Sequence, residues 1–283
     1  MKQQKGSLCF TYLNSTLPTA TCRATTAGID KVALLQRDDA SINYTVVGEG
    51  PAIILSHGFS YSHSMWDGQL AALSRHYKII CWDMRGHGQS DGGNNLANYS
   101  AAATISDMAA LLDHCDVKDA VIGGLSLGGY MSLAFQIAHP TRVRALMLFD
   151  TGPGFKKDQA RDSWNATANA RAEEFEANGL ATLAGAGSAA RDANHASAQG
   201  LAHAARGMLA QTDAEIMYSL PDISVPTLVL VGSLDEPFFP ATDYMAAKIP
   251  NSTKVVIDDA GHAANIDQPA AFNNAVLAFL ADL

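Results

Sequence analysis

The chain has 283 residues, of which 48% are hydrophobic and 17% charged, a balance that excludes a disordered or fibrous protein. Nineteen Lys and Arg against 28 Asp and Glu leave a formal charge of −9, the reverse of the clustered positive charge that a nucleic-acid partner requires. One large core, or a core with an insertion, acting on a small molecule is the expectation that remains.

The N-terminal stretch carries Lys2 and Lys5, but the following SLCFTYLNSTLPTAT is interrupted by Asn14, Ser15, Thr16 and Pro18 before an apolar segment of signal length develops. Residues 1–30 therefore read as a loosely ordered extension, and a cytoplasmic location is expected. No run approaches the ~18 apolar residues needed to cross a bilayer. Cys9, Cys22, Cys81 and Cys115 are dispersed without a C-x-x-C pair, so neither a zinc site nor a disulfide framework is signalled. Cys81 and Cys115 fall in apolar segments and read as core thiols.

From residue 31 strands and helices alternate. KVALLQR and INYTVVGEG predict two strands joined through Asp38 and Asp39, and AIILSHG is a short apolar run of the kind buried in a parallel sheet. Met65, Trp66, Leu70 and Leu73 then recur at helical spacing before the strand KIICWD. A second helix carries Ile105, Met108, Leu111 and Leu112 on one stripe, followed by the strand AVIGGLS, the helix GGYMSLAFQIAHP and the strand VRALMLFD. From Thr151 to about Pro221 the chain is rich in alanine, asparagine and arginine and lacks a β-branched run, which predicts several short helices. VPTLVLVGSLDEP resumes the strands, followed by helical FPATDYMAAKIP, the strand STKVVIDD and a closing helix with Phe272, Val276, Phe279 and Leu280 on one face. The expected architecture is an α/β core over 31–150 and 222–283, with a mostly parallel sheet flanked by helices and a helical insertion over 151–221.

Ser126 stands in GLSLG, a G-x-S-x-G pattern at the end of a buried strand and the start of a helix. A serine on so sharp a bend presents its hydroxyl above the C-terminal edge of the sheet, where glycines at 124 and 128 avoid collision with neighbouring backbone. The helix N-terminus aims the Leu127 N–H at negative charge developing beside the serine oxygen. Because a serine hydroxyl is a weak nucleophile at neutral pH, a base and an orienting acid must follow. Asp235, just past the strand of VGSLDEP, and His262, just past the next strand in AGHAANIDQP, supply them in the order serine, acid, histidine. Asp150, Asp258 and Asp259 are alternatives for the acid. Among nine histidines, His262 alone ends a late strand between small residues, whereas His195 and His203 lie in the insertion.

Four motifs, HGF at 57–59, DMRGHGQS at 83–90, GLSLG at 124–128 and the GSLDEP and AGHAANIDQP pair, make residues 30–283 resemble an α/β-hydrolase of the capped esterase and lactonase type. The resemblance implies that Phe59, after the HG pair, gives one backbone donor of an oxyanion hole and Leu127 the other. It implies that Asp83, Arg85 and His87 stabilise a loop, and that the insertion forms a cap over Ser126. Trp164, Phe175, Leu180, Leu183, Met208 and Met217 are then the candidate pocket residues. A serine at the elbow argues against relatives that cleave epoxides or carbon–halogen bonds through an aspartate. No metal cluster or dinucleotide fingerprint appears, so no cofactor is implied. Hydrolysis of a small ester or lactone is the first reading; carbon–carbon hydrolases, cofactor-free haloperoxidases and ligand receptors share the fold and remain alternatives.

Overall fold

The computed structural model describes residues 33–283. The extension expected over 1–30, Cys9 and Cys22, and the first two residues of KVALLQR lie outside the described residues. Strands β1 (Ala33–Gln36), β2 (Ser41–Val47) and β3 (Ala52–Ser56) precede helix α1 (Asp67–Leu73), β4 (Lys78–Trp82), α2 (Ala101–His114), β5 (Ala120–Leu125), α3 (Leu127–Ala138) and β6 (Val143–Phe149). Between β6 and β7 (Thr227–Gly232) lie α4 (Asp158–Asn178), α5 (Ser188–Arg191), α6 (Ala198–Ala204) and α7 (Glu215–Ser219). The chain ends with α8 (Phe239–Lys248), β8 (Ser252–Ile257), α9 (Ala264–Asp267) and α10 (Pro269–Ala281).

All eight strands join one sheet in the order β1-β2-β4-β3-β5-β6-β7-β8. The β1–β2 and β2–β4 pairs are antiparallel and the rest are parallel. The central strands are continuous apolar runs because both faces are covered. Alternate residues of each run feed opposite cores: Ile53, Leu55, Met147 and Phe149 pack with the turn before α1, α1 itself and α10 through Trp66, Leu70 and Phe272. Ile54, Ile80, Ile122 and Leu148 instead face α2, α3 and the helices between β6 and β7. The aromatic contact of Phe149 with Phe272, with ring centroids 4.7 Å apart, holds the end of β6 against α10.

The 151–221 segment departs from the expectation of several short helices, since α4 alone runs for 21 residues. No glycine or proline interrupts DQARDSWNATANARAEEFEAN, and its alanines and long charged residues favour helix throughout. Only Ala168, Ala172 and Phe175 are buried on it, a narrow stripe that turns two alanines and one phenylalanine to the core.

The DMRGHGQS loop after β4 is a buried polar knot. Asp83 accepts hydrogen bonds from the His63 amide (2.7 Å), His63 Nδ1 (2.8 Å), Asn43 Nδ2 (2.7 Å) and the Gln89 amide (3.0 Å). Burial alone would raise its carboxyl, but those bonds and the His63 charge hold it well below the usual carboxylate range. Arg85 forks onto Asp107 at 2.6 and 2.9 Å and onto Asp39 at 2.7 and 3.1 Å. Asp107 is fully buried, so Arg85→Ala strands a buried charge and is expected to cost about 3 kcal/mol of stability, read as a lower urea midpoint at unchanged m. An unchanged midpoint would show that Arg37, 3.3 Å from Asp107, suffices to neutralise it.

Candidate active site

The bend at Ser126 lies where β5 meets α3. Its φ of 54° and ψ of −114° place a non-glycine residue in the left-handed region, at a cost of order 1–3 kcal/mol that the surroundings must offset. They do so through backbone bonds: the Ser126 N–H donates to Phe149 O (2.9 Å), while its carbonyl accepts from the Tyr130 N–H (3.0 Å) and Thr151 Oγ1 (2.6 Å). Packing completes the constraint. A Cβ on Gly124 would sit 2.4 Å from the Gly128 carbonyl carbon, and one on Gly128 would sit 2.2 Å from Ser56 O. The two glycines of GLSLG thus let helix and strand approach close enough to force the bend.

Asp235 lies three residues beyond β7 and His262 five beyond β8, on the same edge of the sheet. His262 Nδ1 is 2.8 Å from Asp235 Oδ2, and Asp235 is only 5% exposed. The Phe238 ring stacks on the imidazole with centroids 4.7 Å apart and planes inclined by 31°. Asp258 and Asp259 are exposed, and Asp150 is enclosed behind Asp235, so His262 pairs with Asp235 rather than with any of the three alternatives.

A cavity of about 270 Å³ opens over the bend, with Ser126 and Leu127 at its floor. Tyr130, Phe155, Trp164, Leu209 and Phe238 supply most of its walls, with Gln211 as a polar point, so that the core and the helical insertion share it. Trp164 Nε1 donates to Leu209 O (2.8 Å), and Asn165 exchanges two bonds with the Gln211 backbone, each 2.8 Å, which ties α4 to the 209–211 segment. Burial pushes the Tyr130 phenol up to about 12, so it is a neutral hydroxyl.

Trp164 is the expected pocket residue that the structure brings to this cavity. Phe175, Met208 and Met217 lie outside its lining. Phe175 is on the buried stripe of α4 with its ring centroid 6.2 Å from that of Phe59, Met208 is fully enclosed in the core, and Met217 is half-buried on the short α7. Leu180 is exposed and Leu183 is a core residue. Apolar residues in an insertion announce burial, and most of this burial is against the core. Tyr130 and Gln211 were not singled out from the sequence. Tyr130 was findable, one helical turn after Ser126, whereas nothing local marks Gln211.

The loop after β3 is held by imidazoles. His57 Nε2 accepts from the Met84 N–H (2.9 Å), so its Nδ1 is the donor to Gly58 O (2.7 Å). Complete burial pushes His57 down to about 4, which keeps it neutral. His195, set aside in the sequence as part of the insertion, accepts from the Gly88 N–H at Nδ1 (2.9 Å) and donates from Nε2 to Ser60 O (2.9 Å). One side chain of the insertion thereby fixes both the loop of Phe59 and the loop after β4. Phe59 is buried, with its ring edge-on to His87 at 5.4 Å.

The sheet order, the bend after β5 and the paired side chains beyond β7 and β8 define an α/β-hydrolase fold. The family model described as alpha/beta hydrolase family matches residues 53–275, and the chain belongs to that family. It is 31% identical to 3-oxoadipate enol-lactonase 1 of Acinetobacter baylyi over 86% of this chain and 94% of that enzyme. Among solved structures it is similar to the enol-lactonase from Burkholderia xenovorans, with a TM-score of 0.71 and 26% identity over 88% of this chain and all of that one. A thermophilic esterase from Thermogutta terrifontis matches with a TM-score of 0.76 and 28% identity over 90% of this chain and 99% of that one. Among the described residues no helix is long and apolar enough to cross a membrane.

Proposed function

We propose that the protein hydrolyses a small carboxylic ester or lactone by transferring the acyl group through Ser126 to water. The observation that carries this reading is Ser126 on its constrained bend at the floor of an apolar cavity whose wall residue Phe238 stacks on the His262 imidazole, itself hydrogen-bonded to Asp235. The enol-lactonase and esterase relatives support the same bond type.

In this mechanism His262 Nε2 takes the Ser126 proton as Oγ attacks the carbonyl carbon, and Asp235 holds Nδ1–H and stabilises the imidazolium. The amides of Phe59 and Leu127 receive the oxyanion, each such donor being worth about 10²–10³ in kcat. His262 then protonates the departing alkoxide, which for a lactone stays tethered to the acyl group. Water, deprotonated by His262, attacks the acyl-enzyme and releases the acid with Ser126 reprotonated. The aromatic and aliphatic walls suit an acyl group with an apolar body, and the Tyr130 hydroxyl and Gln211 amide offer points of orientation.

The test is a panel of p-nitrophenyl esters of increasing acyl length, small lactones and a coloured ring-cleavage dienoate. Sustained turnover of a short ester or a lactone is expected. Cleavage of the dienoate alone would move the reading to carbon–carbon hydrolysis, and a single burst without cycling would move it to a ligand receptor.

A further inference from the structure

Asp150 is the residue after β6 and is fully buried behind the Asp235 and His262 pair. Its φ of 45° is again left-handed, and its position is fixed by the bond from its N–H to Leu230 O (2.8 Å) and by Oδ1, which accepts from the Gly232 N–H (2.8 Å). Its other oxygen, Oδ2, is enclosed and meets no hydrogen-bond donor among the described residues. The carboxyl's further neighbours are the Ala264 amide and the Asp235 carboxyl. An ionised Asp150 would therefore bury an unpaired charged oxygen next to a second carboxylate, which costs more than an unsatisfied neutral group. A single proton removes the conflict, because a carboxylic acid can donate where a carboxylate can only accept. Asp235 already accepts from His262 Nδ1, so the proton belongs on Asp150.

We propose that Asp150 is a positioning residue kept as the neutral acid, which donates its O–H to the Asp235 carboxylate and so fixes that carboxylate for His262. The kinetic consequence rests on the serine hydrolase reading; the effect on stability does not. Burial pushes the Asp150 carboxyl up and the neighbouring Asp235 carboxylate adds to this, while the Gly232 and Ala264 N–H groups oppose, leaving it at about 8. The ionisable groups facing it are Asp235 from the turn after β7, His262 through Asp235 from the turn after β8, and the Tyr61 phenol from the loop after β3, which burial and nearby acidic groups, Asp267 foremost, push up. Above that range the lost proton sets two carboxylates against each other and loosens the Asp235 contact to His262. Because the folded state holds a proton that an unfolded carboxyl with an ordinary value of 3.8 has already released, stability falls as pH rises from about 4 to about 8 and levels off above that.

Asp150→Asn and Asp150→Ala in the full chain test this against a short p-nitrophenyl ester, with melting temperature followed in parallel. The amide of Asn can accept from Gly232 and donate to Asp235, so kcat should stay near wild type and the loss of kcat/KM expected of wild type above about pH 8 should vanish. Asp150→Ala should lower kcat by as much as about 10²-fold with KM little changed, since only the orientation of a catalytic group is lost. Between about pH 4 and pH 8 the melting temperature of wild type should fall relative to that of Asp150→Asn, with no further divergence above pH 8. An Asn variant as impaired as the Ala variant, or wild-type and Asn curves that superimpose in both rate and melting temperature, would overturn the proposal. If Asp150→Ala does not fold, the Asn comparison decides. If no ester is turned over, the melting comparison decides without reference to catalysis.

Discussion

Replacing Ser126 with alanine is expected to lower turnover of a short ester by about 10⁴-fold or more while leaving the melting temperature near or above that of wild type. The loss follows from chemistry, because among the described residues of the cavity lining no other hydroxyl stands on such a strand-to-helix bend. Thr151, the nearest candidate in the lining, has its hydroxyl donated to the Ser126 carbonyl. Stability should not suffer, since the bend is held by backbone bonds to Phe149 and Tyr130, by the Thr151 hydroxyl on the Ser126 carbonyl and by the close approach of Gly124 and Gly128, none of which uses the Ser126 hydroxyl. A variant that retained wild-type hydrolysis would remove Ser126 from the mechanism.

Replacing Asp235 with asparagine should lower kcat by about 10⁴-fold with the fold intact. An amide can turn its N–H toward His262 Nδ1, and the imidazole then carries its proton on Nε2, where Ser126 needs an acceptor. The reasoning depends on the 2.8 Å contact between His262 Nδ1 and Asp235 Oδ2. Asp150 cannot substitute, because one of its oxygens is committed to the Gly232 N–H and His262 Nδ1 bonds at residue 235 instead. The ratio of kcat between Asp235→Asn and Asp150→Asn is the measurement that separates the two carboxyls: a large deficit in the first and a small one in the second is expected. Equal deficits would mean that the acid's role is shared.

The strands were legible because each is a short apolar or alternating run bounded by turn residues, and burial on two faces leaves β3, β5 and β7 with polar side chains only at strand ends, Ser56 and Thr227. The bend at Ser126 was legible for the same kind of reason. Its glycines are dictated by backbone contacts within a few residues and across one neighbouring strand. The pocket was much less so. Whether Trp164 lines the cavity and Phe175 packs under the loop of Phe59 depends on how α4 is rotated about its axis, and that is fixed by the distant Leu209 carbonyl. His195 was placed in the insertion without a role because its two partners, Gly88 and Ser60, come from loops more than a hundred residues earlier. Asp150 read as one of several acids near strand ends. Its enclosure, with one oxygen lacking any donor, arises only when β6, β7 and the turn after β8 are assembled.

Covalent capture of the nucleophile tests the mechanism most directly. Incubation of the full chain with a small fluorophosphonate, followed by intact-mass and peptide mass spectrometry, should give one adduct per chain, located on the peptide containing Ser126 and absent from Ser126→Ala, with activity lost in step with labelling. An enzyme that turns over esters yet forms no adduct, or forms it on another residue, would contradict the account.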